Sequence, residues 1–111
     1  MDKRDRYRQI VRKLIEDYGT HKPSHGQIEC YPVIDAERDH YLAMDVGWDR
    51  DRRVQGAFLH LDIIGDKIWI QFNGTDQWIA KELVAAGVST EDIILAEQPP
   101  ELRPHTGYGV G

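Results

Sequence analysis

The sequence has little of what marks a secreted, membrane-bound or disulfide-stabilised protein. Cys30 is the single cysteine among 111 residues, which excludes an internal disulfide and a cysteine-rich zinc site and makes a reduced compartment the simplest setting. Apolar runs are only a few residues long, whereas a transmembrane helix needs about 20, and the charged N-terminus lacks the apolar stretch of a secretory signal. We therefore expect one cytoplasmic domain over residues 1–111, without membrane contact.

An excess of positive charge is also lacking. The 14 basic and 19 acidic side chains give a net charge of −5, which opposes indiscriminate binding to phosphates. Arg4, Arg8 and Arg12 recur every four residues and so share one stripe of a predicted N-terminal helix. Such a stripe is usually a solvated face. A direct DNA-binding accessory factor that uses this stripe remains an alternative.

Hydrophobic spacing predicts two helices and five strands. The first helix ends at Gly19, and its apolar face consists of Tyr7, Ile10, Val11, Leu14, Ile15 and Tyr18. A second helix, with Thr75 as its N-cap and Gly87 just past its end, precedes a single turn. The strands are predicted at 27–35, 40–48, 54–64, 67–73 and 93–95.

The tight connection at Gly65 and Asp66 sets the pairing of its two strands, because side chains alternate between the faces of a sheet. If Ile64 lies opposite Lys67, one face is wholly apolar and consists of Leu59, Leu61, Ile63, Ile68, Ile70 and Phe72. We expect this face to pack against the helix residues Ile10, Leu14, Ile79 and Leu83. The predicted fold class is therefore α+β, with two layers: an antiparallel four- to five-stranded meander and two helices on one face.

The opposite face mixes large aromatic and polar side chains, namely Phe58, His60, Asp62, Trp69 and Gln71. A contiguous patch of this kind is unusual in water and usually marks an interface. Its cover is the tail at 99–111, a second copy of the chain in a homo-oligomer, or a different protein. The tail contains three prolines and three glycines, which exclude regular structure. If the tail is the cover, Arg103 and Tyr108 should contact the face; both therefore join the predicted partner-binding residues.

Two residues on this face carry the main chemical alternative. His60 and Asp62 are two positions apart on one strand, and His40 follows an earlier predicted hairpin, so these groups can share a proton or ligate a metal. A metal-dependent hydrolase or nuclease subunit that uses His60 and Asp62 is thus an alternative. However, the sequence does not show that a third ligand converges, and it contains no nucleophile elbow, P-loop or dinucleotide fingerprint. We therefore expect neither an enzyme nor a bound cofactor.

Short motifs are spread over nearly the whole chain. They are Glu37-Arg38-Asp39-His40-Tyr41, Gly47-Trp48, Arg52-Arg53-Val54, His60-Leu61-Asp62-Ile63, Lys67-Ile68-Trp69-Ile70-Gln71 and Asn73-Gly74-Thr75, with Pro99-Pro100, Arg103 and Thr106-Gly107 in the tail. Together they resemble the motifs of the XisI family, the fdxN element excision controlling factor proteins.

The resemblance implies a non-catalytic controlling factor in the programmed excision of a DNA element. In that family, a separate recombinase exchanges the strands, and the XisI protein acts together with XisH, whose family is nuclease-like in fold. The implied partner is a XisH-like protein, and the implied contact with nucleic acid is indirect. No catalytic residue is carried over from the family.

Overall fold

The first helix, α1, spans Lys3–Gly19 in the computed structural model, which describes residues 2–20 and 27–111. Asp2 caps the helix, because its carboxylate accepts a hydrogen bond from the Asp5 backbone N–H at 2.8 Å. The predicted apolar face is confirmed: Tyr7, Val11 and Ile15 are fully buried, and Ile10, Leu14 and Tyr18 pack against the same core. At Gly19 a Cβ would lie 2.8 Å from the Pro32 nitrogen, so glycine permits the close approach of helix and sheet.

Five strands form one sheet in the order β1-β2-β3-β4-β5. The first four make the predicted antiparallel meander: β1 Gln27–Asp35, β2 His40–Asp49, β3 Arg52–Ile64 and β4 Lys67–Asn73. The second helix, α2 Ile79–Ala85, then carries the chain back along the sheet. As a result β5, Ile93–Leu95, pairs with β4 in the parallel direction instead of extending the meander.

The hairpin between β3 and β4 confirms half of the predicted register. Pairing runs as expected from Ile64 opposite Lys67 to Leu61 opposite Ile70. The register then shifts at a β-bulge, where Gln71 is the extra residue, so that Leu59 lies opposite Asn73 and not Phe72. The predicted burial of Phe72 is therefore wrong: it is 43% exposed, whereas the other five residues of the apolar face are buried.

A second register shift lies in β3. Pairing between β2 and β3 changes between Ala43 and Met44, which leaves Phe58 as the extra residue. Phe58 packs against the hydrophobic core and shares a cavity with Tyr18 of α1. The prediction that Phe58 lies on the face opposite the helices is therefore wrong.

The ends of α2 differ in how well the sequence predicted them. Trp78 occupies the N-cap without a side-chain hydrogen bond, whereas the predicted cap, Thr75, donates its hydroxyl to Asn73 Oδ1 at 2.6 Å in the preceding turn. At the other end Gly87 has a positive φ of 111°, and the Val88 N–H donates to the Leu83 carbonyl at 3.0 Å, as expected for a helix closed by glycine.

Both helices lie on the apolar face of the sheet, so the layer arrangement is as predicted. Leu83 and Ile79 of α2 are buried with Leu61 and Ile70 of the sheet in a single core. Among the described residues, no helix combines the length and apolarity needed to cross a membrane.

Candidate functional site

We call the sheet face opposite the helices the outer face; its central residues are His40, His60, Asp62, Trp69 and Gln71. Pairing in the meander brings them together from three strands. His40, the first residue of β2, lies opposite Asp62 of β3, and Asp62 in turn lies opposite Trp69 of β4. His60 precedes Asp62 by two positions and so projects from the same side of β3.

The carboxylate of Asp62 is the centre of this group. His40 Nδ1 and His60 Nε2 each lie 2.8 Å from Asp62 Oδ1. The Gln71 side-chain amide donates to Asp62 Oδ2 at 3.1 Å. Asp62 is buried while His40 is half-exposed, so the carboxylate is enclosed by its neighbours and the His40 imidazole is accessible to solvent. The hydrogen bond to Asp62 raises the pKa of His40.

The sequence predicted that His60 and Asp62 lie together, but it did not show whether His40 joins them. His60 and Asp62 share a strand, so alternation was enough to place them together. His40 is 22 residues from Asp62, and only the pairing of β2 with β3 brings it to the same carboxylate. His40, His60 and Asp62 each offer one ligand atom, and these atoms lie within 4.8 Å of one another.

The C-terminal tail covers one end of the outer face. The Arg103 guanidinium lies 5.2 Å from the ring centre of Trp69, and Lys67 Nζ donates to the carbonyl of Gly111 at 3.0 Å. The Gly109 N–H donates to the Ile93 carbonyl at 2.8 Å, which ties the tail to β5. Arg103 thus makes the contact expected of a covering tail, while Tyr108 packs, partly buried, against the hydrophobic core.

The rest of the outer face presents large side chains to solvent. Tyr31 and Val33 of β1 are 41% and 40% exposed, and Trp48 of β2 is 49% exposed. Core packing is the usual role of aromatic residues in a small domain, and Tyr41 follows that expectation because it is buried. Trp48 and Tyr31 do not, and together with Val33 they leave an exposed strip along β1 and β2; Trp78 is exposed as well, but it lies at the start of α2.

The three arginines of the α1 stripe form hydrogen bonds and ion pairs with other groups of the chain. Arg8 makes a two-pronged contact with Asp39, with its Nε 2.8 Å from Oδ1 and its Nη2 3.0 Å from Oδ2, and this contact lowers the pKa of the Asp39 carboxyl. Arg12 pairs with Glu16 at 2.8 Å, and Arg4 Nε donates to the Gly65 carbonyl at 2.8 Å. These contacts compete with any phosphate for the guanidinium groups.

Comparison with known proteins now decides the family. The family model described as XisI protein matches residues 1–110. This chain belongs to the XisI family. No curated protein matches it.

Two solved structures share the family fold. A XisI-like protein from Anabaena variabilis ATCC 29413 is 41% identical, with a TM-score of 0.90 over 96% of this chain and 98% of that chain. The fdxN element excision controlling factor XisI from Anabaena variabilis ATCC 29413 is 33% identical, with a TM-score of 0.85 over 99% of this chain and 100% of that chain. The XisI resemblance and the α+β fold predicted from the sequence are confirmed.

Proposed function

We propose that this chain is a non-catalytic accessory factor in the excision of a DNA element, and that it binds a XisH-like protein through its outer face. The observation that carries the proposal is the exposed strip of Tyr31, Val33 and Trp48 on an open sheet. Contiguous exposed apolar patches mark interaction surfaces, and tryptophan and tyrosine are enriched among the residues that contribute most to binding. Membership of the XisI family supports the excision role, since one solved relative is called an excision controlling factor.

Charge supports contact with a protein over direct contact with DNA. The net charge is −5, and the arginines that form a stripe on α1 are hydrogen-bonded within the chain. A DNA-binding surface gains affinity from basic groups that are free to neutralise phosphates. We therefore infer that any contact with DNA in the excision complex is made through the partner.

Co-purification with a XisH-like protein from the same source tests the partner and the surface together. Wild-type chain should retain that protein on a column. Trp48→Glu should abolish retention, because it places a charge in the apolar strip. Trp78→Glu is the matched control: Trp78 is 60% exposed but lies at the start of α2, so retention should persist. Failure of wild type to retain the XisH-like protein, or equal loss with both variants, would contradict the proposal.

An activity assay tests the non-catalytic role. The purified chain should hydrolyse neither DNA nor simple ester and phosphodiester substrates, with or without Mg²⁺, Mn²⁺ or Zn²⁺. The reason is that the described residues bring together no complete set of nucleophile, base and electrophilic groups. Activity that disappears on His60→Ala while the fold is retained would instead support the metal-dependent hydrolase alternative.

A further inference from the structure

We propose that His40, His60 and Asp62 form a binding site for a divalent transition metal of the Zn²⁺ type. Two imidazoles and one carboxylate are a common set of protein ligands for such ions. The three ligand atoms come from two paired strands of a sheet, so the backbone holds them close together before any ion binds. The inference is independent of the proposed function, since it concerns the isolated chain.

The distances suit a common ion. Ligands about 2.1 Å from one metal ion are separated by about 3.0 Å in octahedral and about 3.4 Å in tetrahedral geometry. Both histidine nitrogens already lie 2.8 Å from Asp62 Oδ1. Each histidine nitrogen therefore needs to separate from Asp62 Oδ1 by only a few tenths of an ångström to admit the ion. The three ligand atoms lie within 4.8 Å of one another, so the two histidine nitrogens must also adjust to that spacing, and half-exposed His40 has room to do so.

The surroundings of the carboxylate resemble those of metal-ligating carboxylates. Gln71 donates to Asp62 Oδ2, the oxygen that does not contact the histidines, and so orients the group. The extra residue of the bulge in β4 is Gln71 itself, so the irregularity in the sheet supplies this contact. Three protein ligands leave at least one coordination position, which the exposed side of the outer face keeps open to solvent or to a ligand from outside the chain.

Metal binding changes the protons on the two rings. A ring nitrogen that donates to Asp62 carries a hydrogen, whereas a ligating nitrogen presents a lone pair. On binding, each neutral imidazole moves that hydrogen to its other ring nitrogen, and any imidazolium releases one proton to solvent. The ion then takes the place of two hydrogen bonds on Asp62 Oδ1, so the carboxylate stays compensated.

Calorimetric titration of the chelator-treated chain with Zn²⁺ tests the site. We expect one ion per chain, and binding weakened about 100-fold or more by His40→Gln, which removes a ligand. Gln71→Ala should weaken it by about tenfold, the usual effect of losing a partner of a ligating carboxylate. The control replaces the other three histidines, His21, His25 and His105, by glutamine. This control should bind Zn²⁺ like wild type.

Histidine ring ¹⁵N spectra identify the ligand atoms directly. Zn²⁺ should shift His40 Nδ1 and His60 Nε2 to metal-bound positions, and circular dichroism should show each variant folded. If His40→Gln is not folded, His60→Gln gives the same test. No stoichiometric binding by wild type would overturn the proposal. So would loss of binding in the control variant with retention in His40→Gln, because the ion would then lie on other histidines.

Discussion

At the scale of single residues, the carboxylate of Asp92 connects α1 to the segment that directly precedes β5. The Tyr7 hydroxyl donates to Asp92 Oδ2 at 2.6 Å, and Lys3 Nζ lies 2.7 Å from the same oxygen. Burial raises the pKa of Asp92, but the hydrogen bonds from Lys3 and Tyr7 outweigh that effect, so the pKa of the carboxyl lies below its ordinary value. The ionised form is thus preferred in the folded state.

Replacing Asp92 by asparagine should therefore make stability depend less on pH. A carboxyl with a lowered pKa in the folded state stabilises the protein above its ordinary pKa of about 3.9, and this contribution is lost as the pH falls through the folded value. We expect Asp92→Asn to reduce the free energy of unfolding at pH 7 by about 1–3 kcal/mol. The difference from wild type should shrink as the pH falls below about 4.

Urea unfolding between pH 7 and pH 3 checks this expectation, with the exposed Asp51→Asn as the control. Asp51→Asn should change the free energy of unfolding by no more than about 0.5 kcal/mol. A deficit in Asp92→Asn that is equally large at both ends of the pH range would show that lost packing, and not lost charge, is responsible.

The Leu61→Ala variant tests how much the apolar face contributes to the free energy of unfolding. Its side chain is fully buried between the sheet and the helices, so Leu61→Ala should lower the free energy of unfolding by about 2–5 kcal/mol. Ile64 is three positions further along β3 but is exposed, and Ile64→Ala should cost less than about 1 kcal/mol. Chemical denaturation of the two variants compares them. Similar losses would be incompatible with the assigned faces of β3.

At the scale of elements, the long β2–β3 hairpin and its neighbour β1 contain two glycines with the same φ. Gly47 and Gly56 both have a φ of 156°. A Cβ at Gly47 would overlap the carbonyl oxygen of Gln27 in β1, whereas a Cβ at Gly56 would meet no atom within 4 Å. The two positions therefore separate the effect of crowding from the effect of backbone strain.

Alanine at each glycine should reveal that difference. Both substitutions strain the backbone to a similar degree, but Gly47→Ala also forces β1 away from β2. We expect Gly47→Ala to lower the free energy of unfolding by about 1–3 kcal/mol more than Gly56→Ala. Thermal or urea unfolding of the pair measures it. Equal destabilisation would mean that β1 moves aside at no cost and contributes little at this end of the sheet.

At the scale of the whole molecule, the two faces of the sheet have different environments. Both helices pack on the apolar face, while the outer face, as far as residues 2–20 and 27–111 are concerned, has only the tail at its Trp69 end. Because Arg103 already covers Trp69, the exposed strip at Tyr31, Val33 and Trp48 is the part of the outer face that a second copy or a partner would cover.

Light scattering on the isolated chain tests whether a second copy fills that role when no partner is present. We expect a mass that is a multiple of 12.8 kDa. Trp48→Glu should return the chain to monomers with its circular dichroism unchanged, whereas Trp78→Glu should not. A monomeric wild-type chain would contradict self-association and leave the XisH-like partner as the proposed occupant.

Much of this architecture was predictable from the sequence, because helix and strand periods are local properties. The buried face of α1, the first four strands and the Gly65–Asp66 hairpin all follow from spacing within short windows. The alternation also placed His60 with Asp62. The same spacing predicted the α+β fold, and motifs spread along the chain indicated the XisI family.

Tertiary structure alone decided the features that depend on contacts between distant residues. Two bulges moved Phe58 to the helix side and exposed Phe72, because one extra residue reverses every later side chain and leaves no trace in the alternation. Pairing of β2 with β3 brought His40 to Asp62, and α2 returned the chain so that β5 runs parallel to β4. Periodicity determines which face of an element is apolar, whereas packing between elements determines which side chains meet.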